Sequence, residues 1–481
     1  MRCHRCCSAR LRRLPPAASD PAAPPSTRRG LTLPVQIGYA FAEIGQNLVE
    51  TAIRIYLLIY YTDVVGLNAR LAGIAVGLSL VWDACIDPVM GAISDRTRHR
   101  FGGRRGYLPL GGLLLAGGLL AVFHPPELDS QWARFGWLLF SSCFLGTGMT
   151  VLSVPYMAMG GELTEHPHER AVLFGWRFGF ANFGGMLAAA LPTLFLQAGE
   201  TNAVAMRPVS VLAAGIVVVT AWTSFWAVRG LAVPTAPAAA VPLRAAFVLP
   251  LRNPTFRPLL LVYVIATIGI GVNSACALYY YQYRLHLAET QIQGLLVLFL
   301  GVFTTSILGW VLLAKRFGKR RPMALGAIAL GIGTAALYLL AEPGNFLVPL
   351  LAGGLGLGAL VGCIVLIDTL LTDVIDHDQV RSRQVRSGLY FGVWRFASKL
   401  ARAASIGAAG YVLDLAGFVP NQPQTEGVEL ALMLLFGPGV GGFFVVAGAL
   451  LWRYRFDEQK QAQVRRILDR RAMRVGANGA R

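Results

Sequence analysis

Long apolar runs separated by short polar connections fill almost the whole chain. Most of the runs reach the ~20 residues with which an α-helix spans the hydrocarbon of a bilayer. The hydropathy pattern predicts twelve such helices. They fall at about 34–61, 71–94, 107–124, 135–159, 173–198 and 208–229 in the first half. The second half gives about 256–282, 291–314, 322–342, 346–372, 388–415 and 430–453. The expected fold is an all-α polytopic membrane protein with two six-helix bundles, 34–230 and 256–454. Residues 1–33 read as a disordered basic leader, 231–255 as a Pro- and Ala-rich cytoplasmic linker and 455–481 as a basic cytoplasmic tail.

The two halves repeat one another. Phe101-Gly-Gly-Arg-Arg105 and Phe317-Gly-Lys-Arg-Arg321 are 216 residues apart, Trp176-Arg177-Phe178 and Trp394-Arg395-Phe396 are 218 apart, and Tyr60-Tyr61 and Tyr280-Tyr281 are 220 apart. Three landmarks at nearly one offset argue for duplication. An even period of six spans makes the halves parallel, related by an axis along the membrane normal. That is the arrangement of major facilitator transporters, whose substrate site lies at the midplane between the halves.

Composition supports a membrane class. The chain is 55% hydrophobic and 14% charged, with a mean hydropathy of +0.55. The net charge of +18 sits in short connections and tails, where the positive-inside bias and anionic lipid explain it. No basic groove interleaved with aromatics is present, so no nucleic-acid partner is expected. Connections after the second and eighth spans are basic (Arg96 to Arg105, Lys315 to Arg321), and those on the other face carry Glu127, Asp129, Glu200, Glu342 and Glu426. Both termini are therefore expected in the cytoplasm of a plasma (inner) membrane protein. Residues 1–30 hold no apolar core of signal-peptide length, so no cleaved signal is expected. Cys85, Cys143, Cys276 and Cys363 lie singly in apolar runs as packing residues. Cys3, His4, Cys6 and Cys7 have no second ligand pair at zinc spacing. With no nucleotide loop or nucleophile elbow, no enzyme and no cofactor is expected. The expected partners are a small solute, a coupling cation and the bilayer, with the chain a monomer.

The candidate chemistry is ionic. Asp83 and Asp87 in the second span are four residues apart, on one helix face. A carboxylate near the bilayer centre costs roughly 2.5–3.5 kcal/mol on insertion scales, so the pair needs water, a partner or a cation. Two such groups do not both ionise cheaply. Binding Na⁺ or H⁺ between them relieves the penalty, which is the physics of a coupling site. Simple bundle-holding pairs with basic residues are the alternative. Glu43, Asn47, Glu50 and Arg54 form one stripe of the first span, with Asn47, Glu50 and Arg54 lining a wet cavity and Glu43 interfacial. An intrahelical Glu50–Arg54 pair is the plain alternative. Arg395, Lys399 and Arg402 follow the same spacing in the eleventh span. Lys399 is the base best placed to face Asp83 and Asp87. Arg177 stands in the repeat position of Arg395. In the glycine turns, Arg104, Arg105, Arg320 and Arg321 can hold helix-end carbonyls, Asp95 or lipid phosphate. Together with Arg395 they form a cytoplasmic latch.

The stretches Tyr60-Tyr61-Thr62-Asp63-Val64-Val65-Gly66-Leu67, Trp82-Asp83-Ala84 through Asp87-Pro88-Val89-Met90-Gly91, Val154-Pro155-Tyr156, Asp373-Val374-Ile375-Asp376 and Gly388-Leu389-Tyr390-Phe391-Gly392 with Lys399 resemble the glycoside–pentoside–hexuronide:cation symporter family, the melibiose-permease-like branch of the major facilitator superfamily. The likeness covers residues 34–455. It implies cation-coupled symport of a sugar, glycoside or uronide by alternating access, with Asp83 and Asp87 holding the cation. Thr150 takes the assisting helix-four position, and the family's aspartate beside it is Ser153. The helix-one aspartate that grips sugar hydroxyls falls on Asn47, and an arginine one turn before Asp83 is replaced by Leu80. Arg177, Trp394 and Lys399 complete the substrate set that the resemblance and the spacing suggest. Transport of a lysophospholipid or other amphipath is the alternative substrate class, and a non-transporting membrane sensor a lesser one.

Overall fold

The computed structural model describes residues 31–97, 103–163, 167–195, 202–230, 248–382, 387–454 and 464. The basic leader and tail, and most of the linker, lie outside these residues. All regular structure among the described residues is helical. The first half comprises α1 (Leu33–Ala40 and Ala42–Ile59), α2 (Ala69–Arg96), α3 (Tyr107–Phe123), α4 (Gln131–Glu162), α5 (Pro167–Ala190) and α6 (Asn202–Val228). The second comprises α7 (Phe256–Tyr279), α8 (Glu289–Phe317), α9 (Arg320–Leu340), α10 (Pro349–Ser382), α11 (Ser387–Leu415) and α12 (Glu426–Trp452).

Nine of these helices, among the described residues, are long and apolar enough to cross a bilayer. The three that fall short on apolarity are α1, α5 and α11, which carry Glu43, Glu50, Arg54, Arg177, Arg395, Lys399 and Arg402. These charges face an internal cavity, so the helices span with their polar side turned away from lipid.

The duplication holds in the packing. In the first half, α1 packs on α5 and α6, α3 on α4 and α6, and α2 on α4; in the second, α7 packs on α11 and α12, α9 on α10 and α12, and α8 on α10. Each contact recurs six helices later. The tyrosine pairs show why their register is kept. Both α1 and α7 end in a π-helical turn, Tyr60–Val64 and Tyr280–Arg284. The widened turn points both hydroxyls of each pair at the end of the hairpin's neighbour. Tyr60 donates to the Phe123 carbonyl at 2.6 Å and Tyr61 to that of Val122 at 2.9 Å. In the second half Tyr280 donates to the Tyr338 carbonyl at 2.8 Å, and Tyr281 meets the Tyr338 hydroxyl at 2.8 Å. Such buried hydroxyls need these partners, since a buried unpaired one costs about 1–3 kcal/mol. In the second glycine turn Gly318 takes φ +82°, a value that favours glycine.

Across the halves, α2 packs along α11, α5 meets α8, and α1 meets α7. The α2–α11 crossing is made of small residues: a Cβ on Gly410 would stand 2.5 Å from the Ala69 carbonyl oxygen, and one on Gly73 3.0 Å from that of Ile406. On the face away from the chain termini the halves are tied by hydrogen bonds. Tyr283 donates to Asp63, Thr62 and Tyr279 hydroxyls lie 2.8 Å apart, Asn421 donates to the Asp63 carbonyl at 2.6 Å and Asn68 to Asp414 at 2.7 Å. On the terminal face the described arginine and lysine contacts run inside each half. Arg105 donates to the Arg229 carbonyl at 2.6 Å, Arg320 to that of Tyr454, and Lys319 pairs with Asp373 at 2.8 Å.

Candidate functional site

A cavity of about 420 Å³ lies between the halves, walled by α1, α2, α4, α5, α7 and α11. Its lining carries four carboxylates, Glu43, Glu50, Asp83 and Asp87, and five cations, Arg54, Arg177, Arg395, Lys399 and Arg402. All four acids come from the first half. Three of the bases come from α11.

At mid-height Asp83 and Asp87, one turn apart on α2, turn inward together. The Thr150 hydroxyl on α4 lies within hydrogen-bond distance of both, 2.7 Å from Asp83 Oδ1 and 2.8 Å from Asp87 Oδ1. One proton cannot satisfy two acceptors, so the hydroxyl is shared between them. Lys399 reaches across from α11 and pairs with both carboxylates, at 2.7 Å from Asp83 Oδ2 and in close contact with Asp87 Oδ2. The three side chains are 15%, 24% and 22% exposed, so the cluster is wetted from the cavity rather than dry. Two negative charges meet one positive charge in a weakly solvated place, so the cluster carries one uncompensated negative charge. Ser153 lines the cavity but makes no hydrogen bond to either aspartate.

A second inter-half ion pair joins Glu50 on α1 to Arg402 on α11 at 3.0 Å. Glu50 is thus claimed by the opposite half and not by Arg54, four residues on in its own helix. The intrahelical pair that spacing offered as an alternative is not formed between these two residues. Arg54 instead leans on the Thr51 hydroxyl at 3.5 Å.

A third pair lies toward the terminal face. Arg177 donates through Nε to Glu43 Oε1 at 2.7 Å, and its guanidinium stacks over Tyr156 and Phe174 at 4.6 and 4.9 Å. Asn47 donates to the other Glu43 oxygen at 3.0 Å. Glu43, expected at the interface, is therefore a half-buried partner, 13% exposed in its side chain. Stacking and a half-buried carboxylate both hold Arg177 as part of the wall.

Trp394 stands behind the lining. It is 3% exposed, its ring lies 3.8 Å from that of Tyr263 at an interplanar angle of 9°, and its indole donates to Asp368 at 2.9 Å. Tyr263, not Trp394, meets the cavity. Sequence reasoning missed Tyr263, Ser142 and Asp368, because a lone tyrosine, serine or aspartate carries no spacing signal. Of the latch set, Arg104 and Arg105 are buried while Arg321 and Arg395 are exposed. The Asp95 side chain lies outside the described residues. Arg105 and Arg320 cap carbonyls at the ends of their own bundles, one of the roles their spacing allowed.

The family model described as "MFS/sugar transport protein" matches residues 38–458. Among curated relatives, an "Uncharacterized symporter YjmB" of Bacillus subtilis is 25% identical over 91% of this chain and 95% of its own. A "Putative glycoside/cation symporter YagG" of Escherichia coli is 26% identical over 92% and 96%. Among solved structures, a bacterial homologue of the human lysosomal transporter Spinster, crystallised inward-facing and unoccupied, superposes with a TM-score of 0.64 at 14% identity, covering 88% of this chain and 98% of that one. The likeness in that last case is one of fold.

Proposed function

Because this chain belongs to the glycoside–pentoside–hexuronide:cation symporter family of the major facilitator superfamily, we propose that it carries a sugar or glycoside with protons, by alternating access. The reading places it in the plasma (inner) membrane with both termini in the cytoplasm. The observation that carries it is the Asp83–Asp87–Lys399 cluster, a charge junction that bridges the two moving halves.

With Lys399 in place the aspartate pair is one positive charge short of neutral. A proton on Asp87 breaks its ion pair with Lys399 and removes one of the two links that hold α2 to α11 at this level. Coupling follows from that exchange, since a ligand shifts an equilibrium only by its difference in affinity for the two states. A proton fits the donor set better than Na⁺. Na⁺ would compete for the same oxygens with an ammonium 2.7 Å away from one of them, whereas a proton sits on an oxygen without needing a coordination shell. The polar side chains of the lining are spread over several levels of α1, from Glu43 beside Arg177 through Glu50 to Arg54, among apolar ones such as Ile53, Leu57 and Met149. That suits a hydroxyl-rich solute better than an amphipath, which needs its polar groups at one end only.

The test is uptake of labelled sugars into proteoliposomes, with Na⁺ swapped for choline at two pH values. Accumulation driven by an inward proton gradient and indifferent to choline is expected; strict dependence on Na⁺ would replace the proton in this scheme. In Asp87→Asn, exchange of substrate down its gradient is expected to survive while concentrative uptake is lost. An Asp87→Asn protein that still concentrates substrate would sink the coupling assignment.

A further inference from the structure

A pyranose has two kinds of surface, a rim of hydroxyls and faces built of C–H bonds. The acids and the amide of α1 suit the rim. For a face the lining offers one flat surface. Among the described residues that line the cavity, Tyr263 is the only aromatic side chain and the only contribution from α7. The duplication marks its position. Tyr263 follows Glu43 by 220 residues, the interval that separates the two tyrosine pairs. Where the first half lines the cavity with a carboxylate, the second lines it with a ring.

That ring is held flat. Trp394 on α11 lies parallel to it, with centroids 3.8 Å and planes 9° apart. Carbon atoms in contact are about 3.5–4.0 Å apart, so the two rings overlap with little lateral offset and the indole covers one face of the phenol. Trp394 is 3% exposed and stands behind the lining, which leaves the other face to the cavity. Aromatic pairs left to themselves prefer an offset or an edge. Here the indole N–H donates to Asp368 at 2.9 Å, and Phe256, fully buried, backs the indole at 6.2 Å. A tyrosine that served only to pack would be covered on both faces, whereas Tyr263 is half-buried.

We propose that Tyr263 is the platform on which the transported sugar stacks, C–H face against phenol face, and that Trp394 and Asp368 are positioning residues that keep the platform flat. The C–H bonds of a pyranose face carry partial positive charge toward the negative face of the ring, and the contact removes apolar surface of both from water. The hydroxyl rim is left to the polar side chains of α1 and α4 across the cavity, so the sugar is gripped by both halves. Because the ring is ordered before the sugar arrives, binding does not have to order it. The selectivity that follows is for a cyclic sugar over an open-chain polyol, which offers hydroxyls without a rigid face. This inference rests on the symport reading and specifies how its substrate is recognised.

Reconstituted protein is given inward proton and Na⁺ gradients together, so that the result does not hinge on the coupling ion. The labelled probes are methyl β-D-glucopyranoside, methyl β-D-xylopyranoside and methyl β-D-glucopyranosiduronate, with xylitol as the open-chain competitor. Xylitol is expected to compete weakly with whichever pyranoside accumulates best. For that pyranoside, Tyr263→Leu is expected to raise KM by about three- to tenfold, the worth of one aromatic contact, with the maximal rate little changed, while Tyr263→Phe keeps the face and should stay within about twofold. Trp394→Leu and Asp368→Leu should raise KM in the same direction, and Asp368→Asn, which keeps an acceptor for the indole, should restore it. The weak competition by xylitol should be the same in every variant, which a general loosening of the site would not give. A KM unmoved by Tyr263→Leu, or moved as far by Tyr263→Phe, would overturn the platform and leave the symport reading standing. Xylitol competing in the unmodified protein as well as the pyranosides would do the same, and that comparison decides the matter if Tyr263→Leu fails to insert. Accumulation of none of the three pyranosides would overturn both.

Discussion

The same tripeptide stands at equivalent places in the two halves, and its side chains lead opposite lives. In the first half Arg177 is buried against Glu43 and sandwiched by aromatic rings, while Trp176 faces outward at 38% exposure. In the second half Trp394 is buried against Tyr263 and Asp368, while Arg395 is exposed in the cavity lining. Duplication copied the positions, and what each half offers as a partner decided which side chain turns in. The first half keeps its carboxylates on α1 and α2, so an arginine is stable there. The second half presents bases along α11, and an arginine buried there would meet its own kind. The result is an acid half facing a basic half, with Lys399 and Arg402 reaching across. On the coupling reading proposed above, that asymmetry would make the junction between halves responsive to one added charge.

The largest effect is expected where the two halves meet. Lys399→Met leaves two carboxylates in the cavity without a counter-ion. Truncating one side of such a buried pair costs about 2–5 kcal/mol. Concentrative uptake should fall to background while exchange persists, measured as uptake against counterflow in the same vesicles. Full gradient-driven accumulation in Lys399→Met would show that the cross-half junction is not what couples.

The next effect sharpens the contrast between the two arginines. Arg177→Gln strands Glu43 and should cost about 3–5 kcal/mol of stability, as when one partner of a buried ion pair is removed. Arg395→Gln, at an exposed position, should stay within about 0.5 kcal/mol. Thermal unfolding of the two purified variants in detergent compares them directly, and equal shifts would erase the difference in burial drawn above.

A smaller effect belongs to the crossing of α2 and α11. Gly410→Ala puts a Cβ 2.5 Å from the Ala69 carbonyl oxygen, an overpacking worth typically 1–3 kcal/mol. Gly392→Ala on the same helix meets open space. The first should bias the protein away from the arrangement described here and the second should not, as read by distances between spin labels on the two halves. The smallest change is expected for Asn421→Ala. It deletes one hydrogen bond to the Asp63 backbone, net about 0.5–1.5 kcal/mol, and should modestly raise accessibility from that face to a thiol-reactive probe at an introduced cysteine.

How much of this was legible beforehand varies with the kind of signal. Span number, duplication and the Asp83–Asp87 pair are written in local spacing, because an α-helix converts intervals of four into a shared face and apolar length into a membrane crossing. The facing of Lys399 to that pair was inferable too, since a lone base deep in one half needs an acid in the other. The partner of Glu50 was not. Helical spacing offered Arg54, four residues away, while Arg402, 352 residues distant in the chain, is the nearer acceptor of its charge in space.

By itself, then, the sequence determined which helices exist, that they come in two sixes and where charge enters the membrane. These are properties of single segments and of their insertion into lipid. Only the tertiary structure decided that Glu43 rather than solvent satisfies Arg177, that Trp394 lies behind Tyr263, and that Arg402 rather than Arg54 pairs with Glu50. Such assignments are settled by competition among several partners of similar chemistry, and the winner is fixed by how the two bundles dock.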